Sequence, residues 1–346
     1  MSTLGLDIGG ANLKAASDGG WSRSAPFALW RDPQGLAGAL VELIGRAPAF
    51  DRLAVTMTGE LCDCFRTKAE GVRHILKAVG EVAGRADVLV YLTDGRFVSP
   101  LEASGLPTLA AASNWHALAQ FACRYMDGGA GLLVDVGSTT TDIIPLVDGR
   151  VAARGRTDAE RLLARELLYG GVGRTPVCAI VRELPWRGEL CPMSAEVFAT
   201  TADAHVLLGE IEEDHDANWT ADGRPLTIEC ARQRLARQIC ADADDFTIAD
   251  FDHAARAVRD AQHNELAKYI QIVTSRISGG VGTVFVSGSG EFLARRVVAK
   301  ALLAGAVISL SERLGAEISR CGPAYAVAVL AEENVSLGHR GRTQKR

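Results

Sequence analysis

Asp7 and Asp135 each end an apolar run two residues before a glycine, in "LDIGGANLKAA" (6–16) and "VDVGSTTTDII" (134–144). Gly9 aligns with Gly137 and Asn12 with Thr140, so the chain carries the same short pattern twice. The glycine lets the backbone approach a ligand closely. Successive turn amides then form a concave site for an anion. Carboxylates repel a phosphate, so the two aspartates make sense as holders of Mg²⁺, which takes oxygen ligands and keeps several waters. The predicted chemistry is a phosphate cradle with a metal beside it. Gly9, Gly10, Asn12 and Lys14 serve the first turn, Gly137, Ser138, Thr139 and Thr140 the second, and Asp7 and Asp135 hold the metal. Lys14 has no counterpart in the second copy, where Asp142 follows instead, so the two turns are expected to do different work. A single Asp-x-Gly turn is common. The competing reading is two unrelated turns, and the matched pair argues against it.

"VSGSGEF" (286–292) adds a third glycine turn. Gly288, Ser289 and Gly290 follow a strand, and Glu291 opens a helix whose first amides can bind an anion. The Walker pattern is absent, and Leu293 stands where the dinucleotide fingerprint needs its last glycine.

The elements that position these turns read as alternating strands and helices. "LGLDI" is a strand, and "LKAAS" returns beside it as a hairpin. "RLAVTM" and "DVLVYL" are further strands. Val72, Ile75, Leu76 and Val79 recur at helical spacing and predict an amphipathic helix over Lys68–Val82. "SNWHALAQFACRYM" is a second helix, with Ser113 available as its cap. Thr157 and Glu160 form a capping-box pair before Leu162, Leu163 and Leu167, predicting a helix that ends at Gly170-Gly171. Glu210–Arg224 reads as an exposed acidic loop with a turn at Asp222-Gly223. A long helix is expected over Phe251–Ile277, before the strand, glycine loop and helix of 282–303.

The chain has 346 residues, 48% of them hydrophobic, which suits two globular domains. The expected division is 1–130, 131–333 and a disordered basic tail at 334–346. Lys and Arg number 37 against 42 Asp and Glu, a net charge of −5 that argues against a nucleic-acid partner. The start resembles no signal peptide and no window reaches the length of a membrane span, so a soluble cytoplasmic protein without membrane partners is expected. An oligomer is compatible with the sequence. The eight cysteines form no disulfide framework, and Cys62 and Cys64 lack the further ligands of a zinc site.

"LGLDIGGANLKAA", "LVDVGSTTTDII" and "VFVSGSGEF" resemble the two phosphate motifs and the adenosine motif of the actin, sugar kinase and Hsp70 superfamily. "TGELCDCFRTKAEGV" (58–72), "ASNWHALA" (112–119), "GGVGRTPVCA" (170–179) and "FATTADAH" (198–205) narrow the resemblance to the hydantoinase/oxoprolinase branch linked to tetrahydromethanopterin C1 transfer. The archaeal relatives there are methanofuran-biosynthesis condensing enzymes. The resemblance runs over most of 3–333 and implies a two-lobed α/β fold, actin-like (ribonuclease H-like), with a central cleft. It implies a transferase that joins an aminomethylfuran-methanol diphosphate to a phenolic amine of the γ-glutamyltyramine kind, releasing pyrophosphate and forming an ether. Both substrates are small molecules, and Mg²⁺ is the implied cofactor.

The resemblance also brings in residues that the spacing alone leaves open. Asp63 and Lys68 form a surface ion pair or take part in catalysis, Asp63 as a base for the phenol. His116 is a core histidine or a base. Arg174 meets a phosphate or carboxylate, or is a surface charge. Asp203 caps a helix or binds an amine. Asn114 and Thr175 complete the implied substrate set with Arg174 and Asp203. Two other readings use the same cradle: an ATP-dependent small-molecule kinase or amidohydrolase, and a non-catalytic sensor.

Overall fold

The computed structural model describes residues 2–301 and 305–343, with side chains through 334. The chain divides into two compact units. The first contains 1–133, 144–164 and 308–346, and the second contains 134–143 and 165–307. The expected cut at 130 lies near the first crossing, but 144–164 and 308–333 return to the first unit.

One mixed sheet organises the first unit: β1 (Thr3–Ile8), β2 (Asn12–Ser17), β3 (Ser22–Pro26), β4 (Arg52–Met57), β5 (Asp87–Tyr91) and β6 (Phe97–Val98). Their order is β3-β2-β1-β4-β5-β6. β1 is antiparallel to β2 and parallel to β4, so the turn after Ile8 and the chain after Met57 leave the sheet at the same end. β1 and β4 are buried along their whole length, as the near-continuous apolar runs require. Leu4, Leu6, Ile8, Leu53, Val55 and Met57 join Val72, Ile75, Leu76 and Val79 of helix Lys68–Val82 in one core. Truncating Leu6 to Ala there costs about 2–5 kcal/mol. That helix has the predicted bounds, with Thr67 capping the amide of Glu70.

The last helix, Gly322–Thr343, packs on β1. A Cβ on Gly5 would stand 1.8 Å from the Ala324 carbonyl oxygen, so only glycine fits under this helix. The first part of the basic tail continues this helix as helical backbone, where disorder is the sequence expectation; 344–346 lie outside the described residues.

A second sheet is built from β7 (Ala130–Val136), β8 (Thr141–Val147), β9 (Arg150–Val151), β10 (Leu167–Leu168), β13 (Thr283–Ser287) and β14 (Ala306–Ser309). The order is β10-β8-β7-β13-β14, with β9 beside β8. Between β10 and β13, β11 (Glu183–Trp186) and β12 (Glu189–Pro192) make a separate hairpin. In the second unit, Leu235, Ala236, Phe251, Ala254, Ala255 and Val258 pack between helices Ile228–Arg237 and Ile248–Thr274.

The helix expected to run from Thr157 to Gly170 is corrected. Its capping box forms, with Glu160 accepting from the Thr157 amide and Thr157 from the Glu160 amide. The helix then covers only Asp158–Ala164, and Arg165 breaks it at φ +60. Leu162 and Leu163 are exposed while Arg161 is 2% exposed, the reverse of an apolar-face reading. Leu167 belongs instead to β10, paired with Asp142.

Candidate functional site

The two aspartate turns have the same bonding. Gly9 donates its amide to the Asn12 carbonyl at 3.1 Å, and Gly137 donates to Thr140 at 2.8 Å. In both, a following segment ties back the turn carbonyls. Leu29 and Phe27 donate to the carbonyls of Gly10 and Ala11. Val172 donates to Gly137, and Gly173 and Arg174 to Ser138, at 2.9–3.0 Å. The amides of Gly10, Ala11, Ser138 and Thr139 donate to no acceptor among the described residues. With the carbonyls held back, these amides are what each turn offers to an anion.

The surroundings differ. In the first unit, Asp7 is 4% exposed and lies across the ladder from Lys14. Its Oδ1 has no hydrogen-bond partner. Burial raises the pKa of its carboxyl, and Lys14 acts against that rise. A buried carboxylate with an orphaned oxygen fits a cation that shares it, and such an ion would restore its charge. Among the described residues, no cluster of three or more His, Cys, Asp or Glu could hold a metal, so any ion here takes few protein ligands. Among the described residues, none of the eight cysteines forms a disulfide.

Asp135 belongs to the second unit. There a Cβ on Gly288 would stand 2.7 Å from Asp135 Oδ1 and 2.2 Å from the Val136 carbonyl oxygen. Gly288 has φ +89, and Gly290 donates its amide to Val136 at 2.8 Å. The Gly288-Ser289-Gly290 loop is therefore glycine-rich because it presses on the end of β7. Helix Glu291–Lys300 opens directly from it.

The proposed pair of Asp63 with Lys68 does not form. Asp63 is exposed, and Lys68 Nζ meets Asp158 Oδ2 at 2.7 Å, ninety residues away. Asp158 also faces Arg161 at 3.6 Å, and that guanidinium lies 4.1 Å from the Trp115 ring centre. Glu60, which the spacing does not single out, joins this charged island. It is 1% exposed, and neither carboxyl oxygen meets hydrogen-bond geometry with a partner. Burial pushes its pKa up to about 7; Asp158 adds to the rise, while Lys68 and the amides of Glu60 and Ala112 pull against it. Ala112 has φ +47, a left-handed backbone that non-glycine residues seldom adopt and that clusters at functional sites. A Cβ on Gly71 would collide with Glu60 Cα at 2.7 Å, so helix Lys68–Val82 holds this turn closely.

His116 shares a 2.9 Å hydrogen bond with the buried Tyr91 hydroxyl, and burial lowers its pKa to about 4. At neutral pH it is an uncharged, packed ring. Ser113 does not cap the helix Asn114–Ala122; its hydroxyl bonds Thr56 at 2.7 Å. Asn114 accepts from the Trp115 amide.

The implied substrate set of the second unit is largely engaged in holding the fold. Arg174 is exposed. Thr175 Oγ1 bridges the amide and carbonyl of Gly171, at 2.8 and 3.2 Å. Asp203 is fully buried, caps Thr200 and pairs with Arg234 at 2.7 Å, so of its two readings the cap is the one observed. The acidic loop keeps its Gly223 turn, at φ +74, but is anchored at its start: Glu210 has a 5% exposed side chain bonded to His205 and Arg296. Burial opposes ionisation of Glu210, yet the hydrogen bonds from His205 and Arg296 prevail and bring its pKa to about 2.

A hydantoinase/oxoprolinase family model matches residues 51–333. A curated relative from Methanocaldococcus jannaschii, (4-{4-[2-(gamma-L-glutamylamino)ethyl]phenoxymethyl}furan-2-yl)methanamine synthase, is 34% identical over 340 residues, covering 96% of this chain and 98% of its own. A protein of the same name from Methanococcus vannielii is 29% identical over 220 residues, covering 63% of this chain and 97% of its own. Among solved structures, nucleotide-free acetone carboxylase matches with a TM-score of 0.57 at 12% identity, over 94% of this chain and 70% of that one. The shared architecture is the actin-like α/β fold.

Proposed function

The chain belongs to the hydantoinase/oxoprolinase family, and from that membership we propose that it is a transferase of methanofuran-type cofactor assembly for tetrahydromethanopterin-linked C1 transfer. It condenses an aminomethylfuran-methanol diphosphate with a phenolic amine. The observation that carries this reading is the match to the Methanocaldococcus jannaschii synthase over nearly the whole of both chains. That relative's name describes a phenoxymethyl-furan, an aryl ether. Forming it makes one aryl O–CH₂ bond and breaks one CH₂–O bond to phosphate. The electron pair leaves with pyrophosphate, and the phenolic proton must go to a base.

The residues present suit each part. At each turn the amides, of Gly10 and Ala11 with the Lys14 ammonium in the first unit and of Ser138 and Thr139 in the second, would bind phosphoryl oxygens, strengthening as charge develops on the leaving group. Asp7, with its orphaned oxygen, would hold Mg²⁺ at the first turn, and Asp135 would do so at the second; the chemistry of the ion is to neutralise the departing diphosphate. The proton is taken up by the island of Glu60, Lys68 and Asp158. Lys68 and Asp158 are its more accessible members, with side chains 37% and 19% exposed. Glu60 is its buried member, poised to titrate near neutrality.

Purified protein supplied with the furan diphosphate, the phenolic amine and Mg²⁺ should release pyrophosphate and the ether in equal amounts. Absence of both, with the archaeal enzyme active alongside, would sink the reading. Micromolar binding of ATP with Mg²⁺ in the same preparation would then favour an ATP-dependent reaction at these turns.

A further inference from the structure

We infer that Gln262, oriented by His205, is a positioning residue that holds the second phosphate-binding turn in place, an inference that rests on the reading of that turn given above. A buried chain of hydrogen bonds connects them. Glu210 Oε2 lies 2.7 Å from His205 Nδ1, and His205 Nε2 lies 2.9 Å from Gln262 Oε1. Gln262 Nε2 donates to the Gly171 carbonyl at 2.9 Å.

Hydrogen-bond polarity fixes the chain's direction. The Gly171 oxygen can only accept, so the Gln262 amide nitrogen must face it and the amide oxygen must face His205. Both imidazole nitrogens therefore face oxygen atoms, Nδ1 that of Glu210 and Nε2 that of Gln262. Arg296 and Arg259 close the far end on Glu210 Oε1.

The near end reaches the turn without slack. A Cβ on Gly171 would lie 2.5 Å from the Gly137 oxygen and 2.5 Å from the Ser138 carbonyl carbon. The next three amides, Val172, Gly173 and Arg174, are the ones that tie back the Gly137 and Ser138 carbonyls. Thr201 Oγ1 also donates to the Gly171 oxygen at 2.9 Å, and Thr175 grips its amide. Apolar residues would fill this space at less cost than a buried carboxylate, imidazole and amide in series. What the polar chain adds is a fixed position for Gly171, and hence a fixed direction for the turn amides.

Gln262→Glu tests the link with almost no change of volume. It keeps an acceptor for His205 and removes the donor to Gly171. Hydrogen exchange should quicken about tenfold at the amides of Val172, Gly173 and Arg174, while helix Lys68–Val82 exchanges as before. KM for the furan diphosphate should rise about tenfold, with KM for the phenolic amine unchanged. Asp222→Asn is the control: it weakens a neighbouring ion pair, with Arg234, and should lower Tm without dividing the two KM values. Unchanged exchange in folded Gln262→Glu overturns the inference, whatever the ligand proves to be. Wild-type protein that fails to bind inorganic pyrophosphate with Mg²⁺, while Gln262→Glu still shows the faster exchange, would instead sink the reading of the turn and leave the positioning chain standing.

Discussion

The same four-residue turn occurs twice, and its two settings are opposites. Around the first, the polar groups are left wanting: Asp7 Oδ1 is buried without a partner, and the buried oxygens of Glu60 have none in full hydrogen-bond geometry. Around the second, they are satisfied several deep, from Gly137 and Ser138 through Gly171 to Thr175, Thr201, Gln262, His205 and Glu210. A buried polar group without a partner costs free energy that a ligand, proton or ion can return. A satisfied network costs little more to keep and resists movement. The surroundings of the first turn thus leave buried charge to be balanced, and those of the second hold a shape.

Breaking the first setting at its aspartate should have the largest effect. Asp7→Asn should lower turnover by about 10²–10³ while leaving Tm unchanged or raised, because burial already disfavours the charge that it removes. Turnover within tenfold of wild type would remove Asp7 from the site. Within the second unit the largest effect should be on stability. Arg234→Met leaves Asp203 buried and unpaired and should cost about 3–5 kcal/mol in urea unfolding. A variant of native stability but altered KM would return Asp203 to the substrate set.

Glu60→Gln sharpens the contrast through pH. The folded-state pKa of Glu60 is raised from 4.5 to about 7, so between those values the folded state holds a proton that the unfolded state has lost. Its protonation favours folding at low pH, and that contribution fades as pH rises toward 7 and above. Relative to wild type, Glu60→Gln should therefore gain on the order of 3 kcal/mol between pH 4 and pH 8. If the ionised form takes up the phenolic proton, wild-type activity climbs through about pH 7 and the variant loses that limb. Superimposable pH profiles would take Glu60 out of the proton path. The smallest effect is expected at Thr175→Val, which removes the hydroxyl bridging Gly171 at a cost of about 1 kcal/mol. Its KM should shift toward weaker diphosphate binding, and a shift in the amine KM alone would reverse the assignment.

Much of the frame was legible in the chain. The repeat of Asp-x-Gly predicts two equivalent turns, and both close with the same amide-to-carbonyl bond. Val72, Ile75, Leu76 and Val79 predict a buried helical face, and all four lie in the core. Other readings failed where local pattern misled. Leu162 and Leu163 look like a helix face but point outward, because Arg161 is drawn in by Asp158 and Trp115. Asp63 looked like Lys68's partner because it is near in sequence, yet Asp158 takes that place.

Sequence by itself determined where the backbone turns, since glycine and aspartate act on φ and ψ within a few residues. It also determined the family, through motifs spread over most of the chain. Only the tertiary structure decided which carboxylates are buried, paired or orphaned. Burial and pairing are set by residues far along the chain, such as Asp158 for Lys68 and Gln262 for Gly171, 90 and 91 positions away. Proton affinity follows that environment and not residue type alone. Glu60 is for that reason an ordinary glutamate in the sequence and a titrating acid in the fold.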